Sequence, residues 1–542
     1  MSDMKEYIVT LHKRNDLEEF YQDMETLRNT PYNCMPERAV ECYLRRPISR
    51  NTHYMLTTEE AEALRQDPRI RAVMLLPEEL GMQVKSFWTD TSNLWNKSNT
   101  TISSHKNWGL LRVVEGSHRS GWGYNGNVSQ TSTISISEEG RSVDVIIVDG
   151  HINPAHKEFA ANADGTGSSR VVQLDWHTLT SAVAGIDNDG AGLLTSSYVY
   201  TPYTGGATED ANNHGCHVAG TVAGNTQGWA RKANIYNINP YSNNANGLSQ
   251  LVLFDYIRAF HASKFVGAGS GNPTIMNHSW GYGYEFSLSV YPITSLTYRG
   301  NVVNGPFTEA QLRTYGILAT GGFCYAPAEY PALDADAEDA IADGIIMVAS
   351  AGNDSTKLDI SGGQDYNNTF TVAGTPGFYN RGSSPGKCQG SICVGSVDAA
   401  STEYKATYSN NGPRIDIFAP GTRIISSTHT GGVSDPRGVG TLTKYSGTSM
   451  SSPQVCGVLT CILETYPNLT PTEAMAYIKK YAKSEQLTDT GGGIEDYQSL
   501  QGAVNLYLAY KKERNTEGNV FPKSNYKIRP TSGAVYPRFQ IG

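Results

Sequence analysis

The chain has 542 residues, with 43 Lys and Arg against 52 Asp and Glu, a net charge of −9 and no long basic block. That balance excludes a protein that works by neutralising nucleic-acid phosphates. The opening Met1-Ser2-Asp3-Met4-Lys5-Glu6 is polar and leads only into the short apolar run Tyr7-Ile8-Val9, which does not read as a secretory signal. The longest weakly polar run, Val455 to Leu463, is too short to span a bilayer, so cytoplasmic synthesis without a membrane span is expected. Eight cysteines without a Cys-x-x-Cys pair point to reduced thiols, although Cys388 and Cys393 are near enough in sequence to bridge a local loop. Tyrosine outnumbers phenylalanine, 32 to 14, mostly in stretches rich in Gly, Asn and Ser, as suits half-buried loops and contact surfaces.

Residues 1–80 read as a small unit of their own. Tyr7 to Leu11 is strand-like, and Leu17, Phe20, Tyr21, Met24 and Leu27 fall at helical spacing. Val40 to Leu44 and Thr52 to Leu56 look extended, Thr57-Thr58-Glu59-Glu60 is a capping box, and Ile70 to Leu76 is a last strand. The order β-α-β-β-α-β predicts a ferredoxin-like α+β arrangement. From residue 81 to 106 the pattern fades into linker composition. Residues 107–510 carry a series of apolar runs separated by helical segments: Val143 to Val148, Ile235 to Ile238, Thr274 to Met276, Ile345 to Ala349, Ile392 to Val397 and Ile415 to Ala419. Such alternation predicts a doubly wound, mostly parallel sheet, whose site lies beyond the carboxyl ends of the strands.

The residues after those ends are chemically selective. Asp149 follows the first run, and His214-Gly215-Cys216-His217-Val218-Ala219-Gly220 opens a helix. Ser350-Ala351-Gly352-Asn353 follows a later strand, and Ser449 lies in Gly447-Thr448-Ser449-Met450-Ser451-Ser452-Pro453. Pro453 is expected in the first turn of a helix that starts close to the serine rather than running through it. An acyl-transfer site needs a nucleophile, a base, an acid group to orient the base and an oxyanion donor, and Ser449, His214, Asp149 and Asn353 supply those types.

These segments resemble the subtilisin-like serine proteases, whose nucleophile, base and acid come in the order Asp, His, Ser. The resemblance runs over roughly 107–510 and includes Ser279-Trp280-Gly281, which is similar to that family's substrate-pairing strand. It implies catalytic roles for Asp149, His214, Ser449 and Asn353. It also implies substrate binding by Ser279, Trp280, Gly281, Ala351 and Gly352, and an N-terminal propeptide that chaperones and inhibits. The implied product is a self-processing zymogen, cut between residues 80 and 107, that hydrolyses peptide or protein substrates. No cofactor is required; the family often holds structural calcium in surface loops, and Asp187-Asn188-Asp189-Gly190 is similar to part of such a loop without its downstream glutamate.

Two positions depart from the pattern. Asp149-Gly150-His151 lacks the family's hydroxyl residue after the aspartate, which is expected to loosen the strand end, and Cys216 replaces a threonine, most simply as a small buried residue. His214 and His217 form His-x-x-His, but no glutamate follows and no third ligand is at hand, so no metal ligand is assigned. About fifty residues between Gly281 and a helix around Asp334 to Asp343 look like a structureless loop, expected to form a cleft wall or lid. The tail, 511–542, carries an excess of Lys and Arg and reads as disordered or as an attachment segment for an assembly partner. Because phage-encoded subtilases are similar in lacking a signal, virion association and a structural role on a retained subtilase fold form the alternative expectation. A lipase or esterase is disfavoured, since Gly447 to Ser451 lacks the second glycine of a nucleophile elbow.

Overall fold

The computed structural model describes residues 4–27, 34–46, 48–77, 79–86, 89–90, 107–117, 138–179, 202–203, 213–240, 250–266, 269–400, 402–435, 437–488 and 499–510. The basic tail and the Asp187 to Gly190 fragment lie outside the described residues.

The N-terminal unit comprises β1 (Lys5–Leu11), α1 (Leu17–Glu25), β2 (Cys42–Arg45), β3 (Asn51–Leu56), α2 (Thr58–Leu64) and β4 (Ile70–Leu75), the element order read from the sequence. Its antiparallel sheet runs β2-β3-β1-β4, the ferredoxin-like order. Thr57 and Glu60 close the capping box of α2 reciprocally. One face of the sheet covers a private core of Val9, Phe20, Met24, Tyr54 and Leu64, while Ile8 joins the core of the main body.

The expected linker is not patternless. Two short strands follow, β5 (Gln83–Ser86) and β6 (Thr89–Asp90), before α3 (Trp108–Glu115). The main sheet then draws on β7 (Asp144–Val148), β8 (Val171–Val172), β9 (Asn234–Ile238) and β10 (Thr274–His278), with α4 (His214–Ala223) and α5 (Leu253–Ser263) between them. Strand β7 is buried at every position, as a near-continuous apolar run between two helical layers requires.

The stretch expected to be a structureless loop is instead folded: β11 (Trp280–Ser287), β12 (Ile293–Tyr298), β13 (Asn301–Asn304), α6 (Glu309–Thr314), β14 (Leu318–Thr320) and β15 (Phe323–Pro327). After α7 (Pro331–Ala342) and β16 (Ile346–Ser350), strands β17 (Thr369–Val372) and β18 (Thr375–Phe378) complete it, giving sheets ordered β14-β15-β11-β5 and β13-β12-β17-β18. Ile293, Leu296, Leu312, Ile317, Phe370 and Tyr379 form a separate core between them. Burial of those side chains offsets the ordering cost that an open loop of this length would avoid.

The remaining strands are β19 (Ile392–Val397), β20 (Ile417–Pro420), β21 (Ile424–Thr428), β22 (Val433–Ser434), β23 (Thr441–Ser446), β24 (Lys483–Ser484) and β25 (Leu506–Tyr507). Helices α8 (Thr448–Thr465) and α9 (Pro471–Tyr481) lie between β23 and β24. The central sheet reads β24-β25-β20-β19-β16-β10-β7-β9-β8, parallel from β8 to β25 with β24 antiparallel at one edge. The doubly wound reading therefore holds. Among the described residues no helix is long and apolar enough to cross a membrane.

The N-terminal unit sits on α5 and α7 through buried charge. Arg46 is 1% exposed; its Nε donates to Asp255 at 2.9 Å and a terminal nitrogen donates to Asp336 at 2.7 Å. Asn51 donates to Asp336 and to the Ala332 carbonyl, each at 2.9 Å, and Ser49 donates to the other Asp336 oxygen. Burial pushes the Asp255 carboxyl up against the pull of Arg46. Removing Arg46 would leave two desolvated carboxylates without the cation that is hydrogen-bonded to both. Arg46→Ala, compared with its parent in a shared Ser449→Ala background, should lower unfolding free energy by about 3–5 kcal/mol in urea titrations. An Arg46→Ala protein as stable as its parent would show that the cluster is not a stabilising contact.

Candidate active site

Three adjacent strands, β16, β10 and β7, end at the same rim of the sheet, and the residues that leave them are Ala351–Asn353, Ser279 and Asp149. Asp149 and His214 are both fully buried, and His214 Nδ1 lies 2.7 Å from Asp149 Oδ1. A carboxylate can only accept, so Nδ1 carries the proton and a neutral imidazole keeps its lone pair on Nε2. The meeting depends on a close backbone approach. A Cβ on Gly215 would sit 2.0 Å from the Gly150 carbonyl oxygen, so only glycine lets α4 start against the end of β7. Asn213 precedes His214 in the left-handed region, with φ of 58°, and its side chain accepts from the His429 and Thr430 amides.

The strand end after Asp149 is not loosened by its missing hydroxyl. Asn237, on neighbouring β9, donates its side-chain amide to the carbonyls of Ile147, Asp149 and Gly150, each at 3.1 Å. The Gly150 amide donates to Asp149 Oδ1 at 2.8 Å. Nothing in the sequence marks Asn237, because an asparagine in a strand carries no signal of what it clamps.

Ser449 lies in the first turn of α8, which begins at Thr448, so the helix runs through the serine and Pro453 falls inside it. Proline has no amide hydrogen and therefore cannot bond the carbonyl four residues earlier, that of Ser449. Ser279 takes over: its hydroxyl donates to the Ser449 carbonyl at 2.9 Å. The Ser449 hydroxyl in turn donates to the Ser279 carbonyl at 2.9 Å. A rotation about the serine Cα–Cβ bond redirects the hydroxyl, one staggered well to another.

Asn353 accepts through Oδ1 from the Thr448 amide at 3.0 Å and the Thr448 hydroxyl at 2.9 Å. Two donors fix the carbonyl end, which leaves the amide nitrogen as the end turned away from Thr448. The loop carrying it is held by Asn410, whose Oδ1 accepts from the Asp354 and Thr356 amides and whose nitrogen donates to the Ala351 carbonyl. Gly352 has φ of +100°, and a Cβ there would lie 2.4 Å from Asn410 Nδ2, so bare backbone is required. Nothing in the sequence marks Asn410 either; Ser409-Asn410-Asn411-Gly412 looks like any polar turn.

Trp280 is fully buried, so what β11 offers to a neighbour at that point is backbone. It is already paired: β5 lies antiparallel on β11 with Trp280 opposite Ser86, Gly281 opposite Lys85, Tyr282 opposite Val84 and Gly283 opposite Gln83. Strand β6 pairs with β23, Thr89 opposite Ser446 and Asp90 opposite Tyr445. The two short strands thus flank Ser449 in chain order.

His217, one turn after His214, points its Nε2 at the carbonyls of Ile424 and Thr443, at 2.9 and 3.2 Å, and stacks on Tyr445 with centroids 4.5 Å apart. Burial, and then the neighbouring His214, push its pKa down to about 3. Cys216 is fully buried in α4, and none of the eight cysteines is in a disulfide, so Cys388 and Cys393 form no bridge. Among the described residues no three His, Cys, Asp or Glu side chains are grouped to hold a metal ion.

A doubly wound sheet with an Asp–His pair, a helix-borne serine and an oriented asparagine at one rim carries the side-chain types that a serine hydrolase uses. Residues 140–503 match the subtilase family model, and the chain belongs to that family, the subtilisin-like serine peptidases. It is 24% identical over 435 residues to an extracellular serine proteinase of Thermus sp. (strain Rt41A), covering 80% of this chain and 71% of that one. It is also 24% identical over 468 residues to the subtilisin-like serine protease Pen ch 18 of Penicillium rubens, covering 82% and 72%. Two solved structures are similar: a cold adapted subtilisin-like serine proteinase (21% identity, TM-score 0.44, covering 75% of this chain and 98% of that one) and fervidolysin of Fervidobacterium pennivorans (17%, 0.46, 93% and 60%).

The two buried histidines beneath the site favour the folded state less as pH falls. His278, between Phe254 and Trp280, is pushed down to about 3 by burial, as His217 is. Each has a folded value below the unfolded 6.5, so the unfolded chain binds more protons over that window. Their contribution is intact above about pH 7 and is lost as pH falls through 6.5 towards 3. Other carboxyls oppose this trend, Asp339 being raised to about 6, so a comparison isolates the histidine. His278→Phe should lose less stability than its parent between pH 7 and pH 5 in urea titrations; equal losses would count against a neutral buried imidazole.

Proposed function

We propose that the protein is a serine endopeptidase made as a self-processing zymogen. The observation that carries the reading is the convergence of the Asp149–His214 pair, Ser449 and Asn353 at one rim. His214 Nε2 takes the Ser449 proton as the hydroxyl attacks a peptide carbonyl. Asp149 keeps the imidazole in the required tautomer and stabilises its cation. The Ser449 amide and the Asn353 side chain then hold the oxyanion, with Thr448 and Asn410 fixing their aim. The His214 proton passes to the leaving amine, and water releases the acyl group by the reverse sequence. Substrate lies extended along Ser279-Trp280-Gly281, a backbone-directed recognition that admits many sequences. Ala351 and Gly352 form the wall of the primary pocket.

A fluorophosphonate probe should label the wild type and not Ser449→Ala. Asn353→Ala should lower kcat by ~10²–10³, the loss known for the corresponding donor of subtilisin itself. A wild type that stays unlabelled would leave the fold with a structural or assembly role.

The N-terminal unit acts as the inhibitor. Support comes from β5 lying where an extended substrate would pair and from the buried Arg46 cluster that keeps the unit docked. With β5 ending at Ser86 and β6 starting at Thr89, self-cleavage is expected between those two residues. Intact-mass spectrometry of the wild type and of Ser449→Ala should reveal that cut in the first only; identical masses would refute self-processing.

A further inference from the structure

Strand β11 is eight residues long, yet β5 accounts for only the first half of it. The pairing stops at Gly283 because the chain before Gln83 turns away, with the Met82 amide bonded to the Pro77 carbonyl at 2.9 Å. The turn belongs to the tether between the N-terminal unit and the cleft. A separate polypeptide has no such tether.

The outer half of β11, Tyr284–Ser287, is built as rigidly as the inner half. Its other edge is laddered to β15 from Gly283 to Ser287. On one face Tyr284 and Phe286 bear on Phe370, with centroids 5.0 and 5.8 Å apart, which roots the strand in the separate core of the insertion. Alternation sends Glu285 to the opposite face, where its side chain is exposed.

From this geometry we infer that the substrate cleft continues past the segment occupied by β5, along Tyr284–Ser287, and takes extended polypeptides that prefer a basic residue opposite Glu285. The inference rests on the peptidase reading and assigns a role to the inserted sheets: they stiffen an added length of substrate-binding strand. The added ladder hydrogen bonds fall at Glu285, which alternates with Gly283 along the edge, since the Ser287 carbonyl already accepts from the Val290 and Tyr291 amides. In the continued register the residue opposite Glu285 is the one two positions before that opposite Gly283, which in the chain's own sequence is Gly81.

The test uses the purified full chain and quenched fluorogenic peptides copied from residues 83–90 and 79–90. The longer peptide with Gly81→Lys should be cleaved with a kcat/KM about tenfold above the short one, as one to two net hydrogen bonds and a charge pair would give. The Gly81→Glu peptide should fall below the Gly81→Lys peptide, and Glu285→Lys in the enzyme should invert that order, each ratio taken against the short peptide in the same preparation. Cleavage of short and long peptides at equal rates would overturn the extension while leaving the peptidase reading intact. Failure to cleave any of them by protein whose mass shows no cut between Ser86 and Thr89 and that stays unlabelled by the fluorophosphonate probe would overturn the peptidase reading and the extension together.

Discussion

The site depends on a reciprocal pair of hydrogen bonds between Ser279 and Ser449. Each hydroxyl donates to the other residue's carbonyl at 2.9 Å, so the end of β10 and the first turn of α8 are fastened to each other rather than merely adjacent. The arrangement exists because Pro453 cannot supply the amide that an uninterrupted helix would give to the Ser449 carbonyl. A residue that weakens a helix locally thereby creates the acceptor that joins nucleophile to substrate strand. The Ser279 hydroxyl also receives the Asn277 amide and meets Ser452, which leaves it little freedom to let go.

The same economy holds at the other contacts. His214 reaches Asp149 only because Gly215 and Gly150 bring two backbones together, and Asn353 is aimed only because Thr448, the residue before the nucleophile, supplies two donors. Each polar side chain at the rim is oriented by a neighbour of the next. Preorganisation of this kind means that little reorganisation is left for the moment when charge develops.

Much of this was legible in the sequence, for physical reasons. Strands buried on both faces, such as Val143 to Val148 and Ile392 to Val397, must be apolar throughout, so they stand out from their surroundings. Residues with special chemistry just after those runs mark the rim. The inserted sheets were not legible, because their strands are short and rich in Thr, Tyr, Asn and Gly, and their core draws on Phe370 and Tyr379, far along the chain from Leu296 and Leu312. Asn237 and Asn410 act through backbone contacts that leave no periodic trace. The start of α8 is not legible either: a proline normally marks the first turn of a helix, whereas here the hydroxyl of Ser279 compensates for Pro453 inside it.

The burial of Arg46 between Asp255 and Asp336 has a consequence for temperature. Drawing the N-terminal unit away from α5 and α7 would return three charges to water. The hydration of charged groups becomes less favourable on heating, since it carries a strongly negative entropy. Warming therefore weakens the incentive for these groups to separate, even as chain motion grows, and this junction tightens relative to a purely apolar one at the upper end of the protein's thermal range.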